Sequence, residues 1–229
     1  MNSSDRINAC LKALPGSRYL EIGVARGATF FNVDAAVKVA VDPRFRFSPS
    51  ERSHIGNETY YSMTSDDYFK IAIRESHRFD VIFLDGLHTY SQTLRDFLSS
   101  LALAEAHTIW LIDDTIPTSA IAAEPNLNRV REARHILGCA DDQTWMGDVY
   151  KVVAFINSNF PQFTCLTTEG HGQTFILPIE SHSGTGGFEN LHDIEMLNYV
   201  DTILLQETLL RPTSIEEIID KIKSLKLQR

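Results

Sequence analysis

Three aspartates and a histidine stand where short apolar runs end. Asp85 follows FDVIFL, and Asp113 and Asp114 follow TIWLI. If both runs are neighbouring strands of a parallel sheet, three carboxylates converge on one spot. Such carboxylates repel one another and raise each other's pKa. A hard divalent cation relieves that repulsion, and Mg²⁺ in particular takes carboxylate and water oxygens while leaving positions open. Asp85, Asp113 and Asp114 are therefore the candidate metal ligands. Acidic residues at strand ends also cap helices or bind water, and that alternative stays open. His88, three residues past Asp85, can act as a general base, since imidazole titrates near neutral pH. It can equally ligate a cation, donate a hydrogen bond to substrate, or be an ordinary loop residue.

A second group lies earlier in the chain. The run RYLEI enters Glu21-Ile22-Gly23-Val24-Ala25-Arg26-Gly27-Ala28-Thr29. Glycines at such a turn let backbone approach a ligand, and a helix start offers free N–H groups to an anionic group. The Gly-x-x-x-Gly spacing differs from the Gly-x-Gly-x-x-Gly of dinucleotide folds, and alone it fits a plain tight turn. Asp42 adds to it: an acidic residue ending the second apolar run suits acceptance from ribose hydroxyls. Ser65 and Asp66, past the third run, either flank a purine ring or cap the next helix.

These residues need a scaffold that gathers strand ends. Apolar runs alternating with amphipathic stretches are the βαβ signature. The sequence predicts strands at 18–22, 37–41, 58–62, 79–84 and 108–112. It predicts helices at 29–36, 66–76, 91–106, 128–137 and 148–159, with Asp148 as N-cap of the last. Strands at 163–168 and 173–179, joined by EGHG, form an antiparallel hairpin. The expected fold is α/β: a Rossmann-like, doubly wound, mostly parallel seven-stranded sheet closed by that hairpin. Residues 1–180 form the main domain, and 181–229 form a linker with helices at 193–209 and 214–227. The excursion 115–146 should border an acceptor cleft, with Trp145 as an apolar wall or a core anchor. Arg129, Arg131 and Arg134, near one helix, either meet an anionic part of the acceptor or, the reading preferred, form a solvated face.

LEIGVARGATF, VAVDP, MTSDD, FDVIFLDGLHTY and TIWLIDD, in this order, resemble the successive motifs of class I S-adenosylmethionine-dependent methyltransferases. Within that superfamily the pattern is similar to small-molecule O-methyltransferases of the catechol and macrocin types. The resemblance spans about residues 18–179. It implies that Glu21, Gly23 and Gly27 shape a methionine pocket with Thr29 near its carboxylate. It implies that Asp42 holds the ribose and that Ser65 and Asp66 touch the adenine. It further implies a catalytic pair of Asp85 and His88 beside a Mg²⁺ or other divalent site. The catechol type carries lysine at the place of His88, so histidine there is a departure.

Composition narrows the partners. A net charge of −9 disfavours a polyanionic substrate such as nucleic acid. No apolar stretch reaches membrane-spanning length, and the first residues lack a secretory core. The reading is a cytoplasmic enzyme acting on a small-molecule acceptor, with no nucleic-acid or membrane partner, and a homodimer as one possible state. Cys10, Cys139 and Cys165 form no CxxC pair and read as small buried residues. His54, His77, His107 and His135 show no clear partner and read as solvated, while His171 and His182, in the hairpin and linker, are placed where they can reach a pocket mouth. Four rivals remain: a metal-independent methyltransferase, a nicotinamide-dependent oxidoreductase, a non-catalytic binding module, and a metal hydrolase.

Overall fold

The computed structural model describes all residues except 53–54, 169–171, 181–187, 189 and 228–229, together with the side chains of 226 and 227. His54, His171 and His182 lie outside the described residues. Seven strands form one sheet: β1 (Arg18–Ile22), β2 (Val37–Val41), β3 (Glu58–Tyr61), β4 (Phe79–Leu84), β5 (Ala104–Ile112), β6 (Thr164–Thr167) and β7 (Thr174–Leu177), in the order β3-β2-β1-β4-β5-β7-β6. The pairs β1–β2, β1–β4 and β2–β3 are parallel, and β6–β7 is antiparallel. The helices are α1 (Ser3–Ala13), α2 (Ser65–Arg74), α3 (Tyr90–Ser100), α4 (Leu127–Ile136), α5 (Tyr150–Asn159), α6 (Leu191–Met196), α7 (Tyr199–Leu204) and α8 (Ile215–Leu227). The expected Rossmann-like sheet is present. Among the described residues, no helix is long and apolar enough to cross a membrane.

The chain comprises two compact units. The first is Met1–Gly86, Arg95–Leu111 and Ile215–Arg229. Strand β4 is buried along its whole length, and Tyr19, Leu20, Phe30, Tyr68, Phe97 and Trp110 fill the core around it. Helix α1, which the sequence reading did not anticipate, begins with a reciprocal Asn2–Asp5 cap and buries Ile7, Cys10 and Leu11. Such a cap satisfies two orphan N–H groups, and the i, i+3, i+4 stripe packs on α8. At the amino ends of the strands, fully buried Asp80 accepts from Arg18 and pairs with His107 at 2.6 Å. His107 therefore has a partner, contrary to the sequence reading.

A helix over 29–36 does not form. Only a single 3₁₀ turn, Phe30–Asn32, follows β1. The Asn32 amide bonds Ala28 O, and Asn8 of α1 donates to Asn32 O and accepts from Asp34 N–H. Those side-chain bonds offer the backbone an alternative to the helix, and Val33 is already extended. Helix α3 ends earlier than predicted, at Ser100, and β5 starts earlier, at Ala104.

The second unit is Leu87–Leu94 and Ile112–Ser214. Its core holds Val130, Val152, Val153, Ile156, Cys165, Phe175 and Ile176. The helix predicted over 193–209 is broken: Leu197 is extended, and Asn198 opens α7 with an Asp201 capping box. Cys10 and Cys165 are buried as expected, but Cys139 is exposed.

Candidate functional site

In the first unit the strand order reverses at β1, between β2 and β4, which is where doubly wound sheets take ligands. Gly23 sits at that point with φ +90°. Its missing Cβ is not open space for a ligand, because it would meet Asp85 O at 2.0 Å. At Gly27, φ +77°, the Phe31 ring fills the same role at 2.4 Å. Both glycines thus permit the turn to pack on its own chain. With only a 3₁₀ turn behind them, the helix-dipole argument for an anion also falls away. Thr29 caps that turn without a side-chain bond.

Asp42 ends β2 and is 8% exposed. One carboxylate oxygen accepts Ala25 N–H at 2.8 Å, and the other accepts Arg44 N–H at 2.7 Å. The carboxylate is thereby fixed beside the β1 turn, and each oxygen keeps a lone pair for a further donor. Glu21 is buried and accepts the Tyr19 hydroxyl at 2.6 Å. Ser65 begins α2, but the cap is Thr64, which accepts Asp67 N–H. Asp66 pairs loosely with Arg95 at 3.4 Å. Asp85 follows β4, its N–H bonded to Ile22 O.

The second unit assembles the acceptor-end candidates. Asp114 takes a left-handed conformation, φ +60°, which is uncommon outside glycine and concentrates at functional sites. That turn brings its carboxylate to His88 Nδ1 at 2.8 Å. Asp113 accepts Asp114 N–H at 2.9 Å. Burial, reinforced by the Asp114 carboxylate, pushes the Asp113 carboxyl above its usual range, and hydrogen bonds from Asp114 N–H and Gln173 oppose this. The pair Asp113–Asp114 thus divides its labour: Asp114 meets the histidine, while Asp113 is held from behind by Gln173.

Two residues to which the sequence reading gave no part in positioning His88 fix its turn. Gly147, φ +60°, lies so close to it that a Cβ there would fall 1.6 Å from His88 O. Asp148, predicted to cap α5, instead accepts Tyr90 N–H at 2.7 Å and pairs with Lys151. It thereby satisfies an orphan donor at the start of α3. The dipeptide Gly-Asp closing the excursion was the available signal.

His88 and Trp145 meet edge to face, ring centroids 5.1 Å apart. Both line a cavity of about 560 Å³, together with α4 and the loop after it: Leu127, Arg131, Arg134, His135, Ala140, Asp142 and Gln143. The indole is fixed by its Nε1 donating to Glu124 O at 2.9 Å. Arg134 is 4% exposed, not the solvated residue that its helix pattern suggested. The volume falls within the ordinary range for small-molecule sites, about 300–1,000 Å³.

Comparison with known proteins agrees with this architecture. Residues 20–115 match a family described as a methyltransferase domain. No curated protein matches the chain. An O-methyltransferase from Bacillus cereus, solved with S-adenosylhomocysteine, is 17% identical over 77% of this chain and 82% of its own, with a TM-score of 0.51. A protein from Staphylococcus aureus assigned as a caffeoyl-CoA O-methyltransferase is 14% identical over 76% of this chain and 82% of its own, TM-score 0.52. One from Klebsiella pneumoniae assigned as an O-methyltransferase is 15% identical over 77% and 80%, TM-score 0.50. At these identities the likeness establishes the fold.

Proposed function

We propose that this chain is a class I methyltransferase that methylates a hydroxyl of a small polar acceptor with help from a divalent cation, a reading supported by the match of residues 20–115 to a methyltransferase-domain family. The carrying observation is that His88 lines a cavity of small-molecule size while its Nδ1 is held by Asp114. With Nδ1–H committed to Asp114, Nε2 is the nitrogen left to take a proton. A base oriented by a second group is the arrangement that proton abstraction requires. Trp145 supplies an apolar wall beside it.

S-adenosylmethionine, when bound, would supply the electrophilic methyl group. Asp42, already anchored through Ala25 and Arg44, would accept the ribose hydroxyls, with Glu21, Gly23, Gly27 and Thr29 around the methionine portion. Ser65 and Asp66 would border the adenine.

The donor chemistry also fits a cation. Within the second unit His88 and Asp114 can each offer one ligand atom, and Asp113, raised first by burial and then by the Asp114 carboxylate, faces a repulsion that a divalent ion would relieve. A bound Mg²⁺ would lower the pKa of the acceptor hydroxyl and fix its orientation. Should His88 ligate the ion in place of Asp113, the mixed oxygen and nitrogen set would suit Mn²⁺ better than Mg²⁺.

Release of S-adenosylhomocysteine across sugar and phenol acceptors, with and without EDTA, tests this reading. Turnover should need the acceptor, fall on chelation and return with Mg²⁺ or Mn²⁺. Undiminished turnover in EDTA would remove the cation, and turnover equal in His88→Ala would remove the base.

A further inference from the structure

We propose that the α4 wall of the cavity is an anion subsite centred on Arg131, so that the acceptor carries a phosphate or carboxylate group besides its hydroxyl. This deepens the reading of the cavity as the acceptor site and rests on it. Leu127, Arg131, Arg134 and His135 follow one another at i, i+4, i+7 and i+8, which is one face of a helix. That face lines the cavity, as do His88, Trp145 and Asp142, the last with its carboxylate paired to Arg134.

The three arginines of α4 have different fates. Arg129 pairs with Glu124 at 3.6 Å. Arg134 is buried, pairs with Asp142 at 2.9 Å and donates to Thr144 O. It is thus a structural strut that ties the following loop to the helix, and Asp142 neutralises it. Arg131 is exposed and lines the cavity. Among the described residues it has no carboxylate or hydrogen-bond partner. Arg134 and His135 lie in the last turn, where cations complement the helix dipole. Arg131 is mid-helix, so that explanation does not reach it.

Charge makes the placement informative. The chain carries −9 overall, so its general field repels an anionic ligand, and a local cation must overcome this. A guanidinium presents paired N–H donors that match phosphate and carboxylate oxygens. His135 adds a ring N–H on the same face. The group bound here would be held at the α4 wall while the rest of the molecule extends toward His88.

The test uses Trp145 as its reporter. Of the two tryptophans, Trp110 is buried in the first unit and Trp145 lines the cavity. Tryptophan emission is titrated with glucose 6-phosphate, glucuronate, inorganic phosphate and glucose, with Trp145→Phe to identify the signal. Saturable binding of the phosphate or the uronate at millimolar concentration is expected, and which of the two binds tells phosphate from carboxylate. Glucose should give no comparable response. Arg131→Gln should weaken binding by about tenfold or more, as loss of a charge-assisted contact does. Arg129→Gln, a surface change off the cavity, should stay within about twofold. Glucose binding as well as its charged relatives, silence from both anionic sugars, or unchanged affinity in Arg131→Gln would each overturn the proposal. Binding is read without turnover, so a failure of methyl transfer would be seen separately from a failure of this subsite.

Discussion

Gly147 and Gly138 offer a matched pair of perturbations. Both have left-handed backbone, φ +60° and +70°. A Cβ at Gly138 would meet nothing within 4 Å, whereas one at Gly147 would lie 1.6 Å from His88 O and 2.7 Å from His88 C. Substitution by alanine therefore imposes the same backbone penalty at both, about 1–2 kcal/mol for an L-residue in that region. Only Gly147→Ala adds a collision with backbone that cannot swing aside. Forcing extra atoms into packed structure costs about 1–3 kcal/mol, for a total of about 2–5 kcal/mol. At roughly 2–4 °C per kcal/mol for a chain of this size, Gly147→Ala should melt about 2–12 °C below Gly138→Ala by scanning calorimetry. The strain should also move the His88 turn, so Gly147→Ala should lose turnover at temperatures where it remains folded. Equal melting temperatures for the two variants would refute the claim that Gly147 holds this turn by close packing.

Other expectations follow from the same geometry. His88→Ala should lower turnover by about a hundredfold or more, as loss of a positioned general base does, and a variant as fast as wild type would remove the base role. At the far end of the sheet, burial would raise the Asp80 carboxyl, but hydrogen bonds from Arg18 and His107 outweigh this and hold it below the usual range. A depressed folded pKa gives stability above the unfolded value, about 3.9, that is lost as pH falls through the folded value. Asp80→Asn should therefore cost about 1–3 kcal/mol at neutral pH, as weakening hydrogen bonds to a charged group does, since the Arg18 side chain is partly exposed and keeps Glu105. That deficit should shrink as melts are repeated toward acid, and a deficit independent of pH would contradict the assignment.

Much of the sheet is legible in the residues. The bounds of β1, β2 and β4 match the sequence reading because each is an apolar run stopped by a glycine turn or an aspartate. What escaped depends on partners distant in the chain. The helix expected after β1 yields to Asn8, an α1 side chain that bonds Asn32 and Asp34. Helix α1 opens on the polar run Ser3–Arg6, and its apolar residues begin only at Ile7, although its Asn2–Asp5 cap was there to be read. At the site, spacing assigns Asp85, His88, Asp113 and Asp114 to strand ends. It does not say which aspartate meets the histidine, because that follows from the left-handed turn at Asp114. The burial of Arg134 is likewise hidden, since Asp142 and Thr144 become its partners only when the loop folds back.

Calorimetric titration with S-adenosylhomocysteine, on the intact chain and on Asp42→Ala, tests the central claim most directly. Saturable one-site binding, weakened about tenfold or more by loss of the carboxylate that receives the ribose, is the result expected. No binding of the nucleoside, equal affinity in the variant, or preference for NADH would contradict it.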